Sequence, residues 1–183
     1  MLCTIRLIIF LIFCFLYIMN RTLHKIVTLV KPETHVIFDL DKTIWNMTLE
    51  YQNHISLHHV KQSIDPFVGN VLEAFKRNGN TMHIASRSAS SKQCKSLLRH
   101  LFPQIAFETM EIYPTERHKD QHIDAILKNR INRTFIMFDD DEEILDHLSK
   151  QHKCVTIHCE HPIDQNTFDE KHDSILHQLS KLY

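Results

Sequence analysis

The stretch His35-Val-Ile-Phe-Asp-Leu-Asp-Lys-Thr-Ile-Trp45 decides how the rest of the chain is organised. Its first four residues are rich in β-branched and aromatic side chains, which predicts a buried strand over residues 35–38. Two acids, Asp39 and Asp41, follow where a central parallel strand meets its loop, and open α/β sheets bind ligands at that edge. Two carboxylates so close repel each other unless a cation lies between them. We therefore predict a site for a hard divalent cation such as Mg²⁺, which prefers oxygen ligands.

Strands and helices alternate along the rest of the sequence. Further strands are predicted at residues 81–85, 105–113, 134–138 and 154–158. Helices with an apolar side are predicted from Asp65-Pro66, after Ser88–Ser91, over residues 119–129, after the acids at 139–143, and over residues 167–182. This alternation predicts an α/β fold, a three-layer sandwich around a Rossmann-like, doubly wound parallel sheet.

Four short motifs follow one another in a recognisable order. They are Asp39-x-Asp41-x-Thr43, Ser86 after a strand, Lys119 before a helix, and Asp139-Asp140 after a strand. In this order they resemble the haloacid dehalogenase (HAD) superfamily, whose members are mostly phosphatases. The stretches FDLDKTIWN, IASRS, EIYP followed by KxxHI, and FDDDEEI are similar to the magnesium-dependent phosphatase type 1 family. The resemblance covers roughly residues 34 to 160 and implies a HAD-like fold.

The resemblance implies a role for each motif residue. Asp39 would attack the phosphorus and form an aspartyl-phosphate, and Asp41 would act as acid and base while its main-chain carbonyl binds the metal. Ser86, Arg87 and Lys119 would contact the substrate, with Ser86 and Lys119 holding the phosphoryl oxygens. The Mg²⁺ ligands would be Asp39, Asp41, Asp139 and Asp140, the last directly or through another ligand. The implied substrates are phosphotyrosine in proteins and small sugar phosphates.

Two positions depart from the family pattern. The family lysine follows EIYP closely, whereas here Arg117 stands near that spacing and Lys119 lies two residues further on. The KxxHI context favours Lys119. Lys42 stands where the family has an apolar or aromatic residue, which leaves its effect on the substrate side of the pocket open.

Residues 46–64 have no clear hydrophobic period and are too few to form a large cap. We predict a small flap over an open pocket, which admits both implied substrate classes.

The length and composition of the chain argue against several other functions. A length of 183 residues suits one domain, and we expect a monomer. A net charge of -1 gives no electrostatic argument for nucleic acid, so we expect no nucleic-acid partner. Five cysteines lack metal-type or disulfide spacing, which favours reduced thiols in the cytoplasm. The fifteen histidines are scattered, so solvated surface histidines are favoured over a zinc site.

The N-terminal region differs from the rest in composition. We divide the chain into an apolar segment at 1–20, a linker at 21–33 and a phosphatase domain at 34–183. Residues 2–19 favour an uncleaved membrane anchor with a cytoplasmic catalytic domain, because more basic residues follow the apolar run than precede it. A signal peptide, or a start of translation at Met19, are the alternatives. A second hypothesis for the whole chain is a membrane-tethered binding module of the same fold with weak catalysis.

Overall fold

The computed structural model describes residues 21–49, 56–116 and 118–183. Its centre is a five-stranded, all-parallel sheet in the order β3-β2-β1-β4-β5. The strands are β1 (His35–Phe38), β2 (Met82–Ser86), β3 (Phe107–Ile112), β4 (Phe135–Asp139) and β5 (Cys154–His158). The five strands predicted from the sequence are therefore all present.

Helices cover both faces of the sheet. They are α1 (Arg21–Leu29), α2 (Leu57–Gln62), α3 (Pro66–Arg77), α4 (Ser91–Leu101), α5 (Asp120–Leu127), α6 (Glu142–Gln151) and α7 (Gln165–Leu182). Buried residues of α1, α3, α4 and α7 pack in one apolar cluster with Val36 and Phe38 of β1. Those of α5 and α6 pack in a second cluster with Ile37. Because successive strand residues point to opposite faces, this confirms the predicted three-layer α/β sandwich.

Local capping explains where two of the helices begin. The Asp65 side chain accepts a hydrogen bond from the Phe67 amide, and Pro66 occupies the first turn of α3, as the sequence predicts. Asp141 caps α6 in the same way, and Glu142 and Glu143 lie in its first turn, where the helix dipole favours acids.

The region predicted as a linker, residues 21–33, forms part of the packed domain instead. Residues 21–29 form α1, which packs against α3 and α7 and buries Leu23, Ile26 and Val27. Each buried aliphatic side chain contributes about 1.5–3 kcal/mol, so this helix is a substantial share of the core. The sequence prediction missed it because the helices that bury its apolar side, α3 and α7, lie far away in the sequence. The apolar segment at residues 1–20 lies outside the described residues, and across those that are described no helix combines the length and apolar character that a membrane crossing requires.

The pairing of β1 with β4 positions the functional end of the sheet. Phe38 lies beside Phe138 in the register, and the Asp39 amide donates to the Phe138 carbonyl at 2.9 Å. The two phenyl rings stack with centroids 4.9 Å apart. The acids that follow these strands, Asp39 and Asp139, therefore leave the sheet side by side.

The predicted flap lies on the chain between β1 and α3. Its described part contains only the short helix α2, and residues 50–55 lie outside the description.

Two histidines are buried inside the sheet layer, contrary to the prediction of solvated histidines. His35 Nδ1 and His83 Nε2 lie 3.0 Å apart on neighbouring strands, and His83 is fully buried. Burial lowers the pKa of His83 to about 4, and the neighbouring His35 adds to the shift. Both rings are thus neutral at neutral pH. The two residues are 48 positions apart in the sequence and meet only through the pairing of β1 with β2, which is why the sequence did not reveal the pair.

This buried pair should make the fold sensitive to mild acid. The unfolded chain binds a proton at His83 near its ordinary pKa of 6.5, whereas the folded chain binds it only near 4, so stability is lost as pH falls from 6.5 towards 4. We expect the free energy of unfolding to fall by about 2 kcal/mol more between about pH 7 and pH 5 in the wild type than in His83→Gln. Urea titrations at both pH values measure this. His24→Gln, which changes an exposed histidine of α1, should behave like the wild type, and an equal loss in His83→Gln would contradict the assignment.

Candidate active site

A buried lysine joins the ends of β1 and β4. Lys119 Nζ lies 2.7 Å from Asp39 Oδ1 and 2.7 Å from Asp139 Oδ2, and all three side chains are almost inaccessible to solvent. Lys119 is the residue just before α5, and its carbonyl accepts from the Ile123 amide in the first turn. A cation at a helix N-terminus is disfavoured by the helix dipole, so the two carboxylates are what holds it there.

The charges of this group depend on one another. Burial lowers the pKa of Lys119, but the carboxylates of Asp139 and Asp39 more than offset this and raise it overall. Burial raises the pKa of Asp139, which Lys119 opposes and Asp39 reinforces. Lys119 therefore remains charged, but its single positive charge does not balance the negative charges of the carboxylates around it.

A third carboxylate completes a group that fits a metal ion. Oxygen atoms of Asp39, Asp139 and Asp140 all lie within 4.8 Å of one another. Burial raises the pKa of Asp140, and the charge of Asp39 adds to this. When all three carboxylates are ionised, they and the one ammonium group carry two net negative charges, and an all-oxygen donor set of this charge suits Mg²⁺. Among the described residues this is the one group of acids, histidines or cysteines that converges in this way.

Asp41 is held in a separate position. Its Oδ1 accepts from the Trp45 indole N–H at 2.7 Å, and its Oδ2 accepts from the Leu49 amide at 3.2 Å. A tight turn supports this, in which the Lys42 amide donates to the Trp45 carbonyl at 2.7 Å. The carboxylate of Asp41 thus lies outside the three-carboxylate group. The metal ligand predicted from the sequence is the Asp41 main-chain carbonyl, and that stays a prediction.

Ser86 and Arg87 lie at the end of β2. Ser86 is buried, and its Oγ accepts from the Ser88 amide at 3.5 Å. Arg87 is partly exposed and pairs with Asp141 at 3.1 Å. The sequence analysis assigned Asp141 only to the start of a helix. It therefore did not predict this ion pair, which connects the end of β2 with the loop after β4.

The side chains described above, apart from Trp45 and Asp141, line one cavity of about 400 Å³. The seven residues predicted from the sequence all line it: Asp39, Asp41, Ser86, Arg87, Lys119, Asp139 and Asp140. Five further lining residues were not predicted as site residues, namely Lys42, Thr48, Ser88, Pro114 and Thr115. Trp45 was also missed, although it ends the motif that reveals the site, because an indole donor has no sequence signature of its own.

The sequence left two candidates, Lys119 and Arg117, for the cation that contacts the phosphate, and the structure locates one of them. Lys119 lies in the cavity against Asp39, as the KxxHI context favours, whereas Arg117 lies outside the described residues.

Comparison with known proteins supports a phosphatase. The family model described as Acid Phosphatase matches residues 32–174, which is most of the chain. No curated protein matches the sequence significantly.

Two solved structures resemble the fold. One is the phosphatase domain in the N-terminal part of a Bacteroides fragilis protein, complexed with Mg, with 13% identity and a TM-score of 0.52 over 81% of this chain and 40% of that chain. This chain therefore spans less than half of that protein. The other is the cobalt-bound deoxy-D-mannose-octulosonate 8-phosphate phosphatase from Haemophilus influenzae, with 15% identity and a TM-score of 0.50 over 85% of this chain and 93% of that chain. At these identities the two structures show a shared HAD-like fold.

Removing one carboxylate should weaken Mg²⁺ binding. We expect Asp140→Asn to raise the Mg²⁺ dissociation constant by about tenfold or more, because it takes one ionised oxygen donor from the group. Since a ligand that binds only the folded state stabilises it, the Mg²⁺-induced rise in unfolding temperature should shrink in the variant, and calorimetric titration gives the affinity directly. Asp146→Asn, an exposed acid on α6, is the matched control and should keep the full shift. An undiminished shift in Asp140→Asn would exclude Asp140 from the metal site.

Proposed function

We propose that this chain, which belongs to the acid phosphatase family, is a Mg²⁺-dependent phosphomonoester hydrolase that works through an aspartyl-phosphate on Asp39. The observation that carries the proposal is the buried contact of Lys119 with Asp39 and Asp139 at the end of two neighbouring strands. A nucleophilic carboxylate needs positive charge nearby to meet a phosphate dianion, and this contact supplies it.

The proposed reaction has two steps. An Asp39 oxygen attacks the phosphorus in line with the leaving group, the bond from phosphorus to the ester oxygen breaks, and Asp41 gives that oxygen a proton. In the second step Asp41 takes a proton from water, the water oxygen attacks the phosphorus, and the bond to Asp39 breaks. The product is inorganic phosphate, and both aspartates return to their starting state.

Asp41 suits the acid and base role because it is held apart from Asp39. The Trp45 N–H and the Leu49 amide orient its carboxyl group, and it lines the cavity into which the substrate must enter. A group oriented in this way loses little freedom when the reaction begins.

Phosphoryl oxygens would be held by Lys119 and Ser86, which lie at the floor of the same cavity. Asp39, Asp139 and Asp140 would hold Mg²⁺, with the main-chain carbonyl of Asp41 as a further ligand, and the bound ion supplies positive charge to the phosphoryl group. Arg87, whose side chain is partly exposed and lines the cavity, would also contact the substrate.

The proposed substrates are phosphotyrosine in proteins and small sugar phosphates. The type 1 family resemblance supports both, and the described part of the flap contributes only one short helix that could restrict access.

Hydrolysis of p-nitrophenyl phosphate by the full chain tests this function. We expect turnover that EDTA abolishes and Mg²⁺ restores, and a loss of more than about 1,000-fold in Asp39→Asn because the nucleophile is gone. Asp124→Asn, an exposed acid on α5, should retain full activity. A folded, Mg²⁺-binding protein without turnover would instead favour the binding module.

The indole of Trp45 should assist Asp41. We expect Trp45→Phe to lower kcat about tenfold to a hundredfold with little change in KM, because it removes a hydrogen bond to a charged group that takes part only in proton transfer. The pH dependence of kcat should shift as well. Kinetics of Trp45→Phe, Asp41→Asn and the double variant decide the point.

If Trp45 acts through Asp41, the double variant is no slower than Asp41→Asn alone. Multiplied losses in the double variant would show that Trp45 acts by another route.

A further inference from the structure

Lys42 is a cation at the cavity that the proposed reaction does not use. Its backbone has a φ of 59°, in the left-handed region that residues with a Cβ adopt at a cost. Its amide N–H donates a hydrogen bond to the Trp45 carbonyl, which closes the turn. Its side chain is 60% exposed and lines the cavity. The turn therefore fixes the backbone of Lys42 while its ammonium group stays in solvent at the cavity mouth.

Solvent exposure separates these cavity residues into two sets. Asp39, Ser86 and Lys119 are 6%, 2% and 1% exposed and form the floor. Lys42 and Arg87, with side chains 60% and 39% exposed, lie at the mouth. A phosphate group attacked by Asp39 must sit on the floor. The cations at the mouth therefore face the part of the substrate to which the phosphate is attached.

The partners of these two cations can be replaced by a ligand. Lys42 pairs with Asp140 at 3.5 Å, and Arg87 pairs with Asp141 at 3.1 Å. Ion pairs with this degree of exposure contribute little to stability, because water solvates both charges almost as well. A Mg²⁺ ion bound by the three-carboxylate group would share Asp140 with Lys42 and would weaken the attraction of that carboxylate for Lys42. An anionic group of a substrate can then pair with Lys42 at small cost.

We propose that Lys42, with Arg87 at the same mouth, forms a second anion subsite, and that the substrates are small phosphate monoesters carrying a second anionic group. That group is a carboxylate or another phosphate a few bonds from the phosphate that is cleaved. This inference rests on the proposed phosphatase function, and it narrows the substrate class to compounds with two anionic ends. Uncharged sugar portions leave Lys42 without a ligand partner and bind less tightly.

The subsite should act on binding rather than on the chemical step. Lys42 is held at the mouth, so its attraction to a distant anion is the same in the bound substrate and in the transition state. Such uniform binding lowers KM and leaves kcat unchanged.

A pair of matched substrates tests the subsite. 3-Phosphoglycerate has a carboxylate at the position where glycerol 3-phosphate has an uncharged hydroxymethyl group. Both compounds are assayed at the same concentration of free Mg²⁺. We expect the wild type to favour 3-phosphoglycerate in kcat/KM by about tenfold, mostly through KM, and Lys42→Met, which keeps Arg87, to lower this ratio several-fold. Lys153→Met, which removes an exposed cation just before β5 at the other edge of the sheet, should keep the wild-type ratio. A wild-type ratio of one, or a ratio that survives in Lys42→Met, would overturn the proposal.

Binding separates this inference from the proposed function. Calorimetric titration of Asp39→Asn with the same two compounds measures their affinity without turnover. Tighter binding of 3-phosphoglycerate to this variant, with no hydrolysis of either ester by the wild type, would support the subsite and contradict the phosphatase. Hydrolysis of both esters with equal kcat/KM and equal affinity would support the phosphatase and contradict the subsite.

Discussion

The ammonium group of Lys119, buried between Asp39 and Asp139, is the interaction on which the rest of the site depends. A buried charge costs several kcal/mol unless it is paired, and removing one partner leaves the others uncompensated. The two contacts of 2.7 Å therefore tie the end of β1, the end of β4 and the start of α5 to one another. The catalytic end of the sheet is held by charge, although the sheet itself is held by apolar packing.

The apolar core brings these charges to one place. Phe38 and Phe138 are paired in the register of β1 and β4, stack on each other and are fully buried. The residue that follows each of them is an acid, so a shift of one residue in this register would move the two carboxylates apart and turn the phenyl rings to the wrong face. The packing of the two rings and the placement of the two acids thus depend on the same register.

The sequence predicts those parts of the protein in which one residue type at one position has a strong physical cause. Acids after buried strands, a proline after an N-cap aspartate, and a run of acids at a helix start all fall in this class, and the structure has them where they were predicted. Contacts between segments far apart in sequence are different. His35 and His83 meet across two strands, and Arg87 reaches Asp141, yet neither pair alters a local pattern. The helix over residues 21–29 was missed because its apolar side is buried only by contacts with α3 and α7, which are distant in the sequence.

Burial also divides the residues that are constrained from those that can vary. Lys119, Asp39 and Asp139 compensate one another in a dry environment, so none of them can change without stranding the charge of a neighbour. The Lys42 side chain is 60% exposed and that of its partner Asp140 is 23% exposed, so the loss of this ion pair would cost little stability. The turn that carries it is closed by backbone hydrogen bonds, which do not depend on its side chain. The proposed chemistry at the floor of the cavity makes no use of the Lys42 side chain, so the proposed anion subsite can form at position 42 without disturbing the reaction.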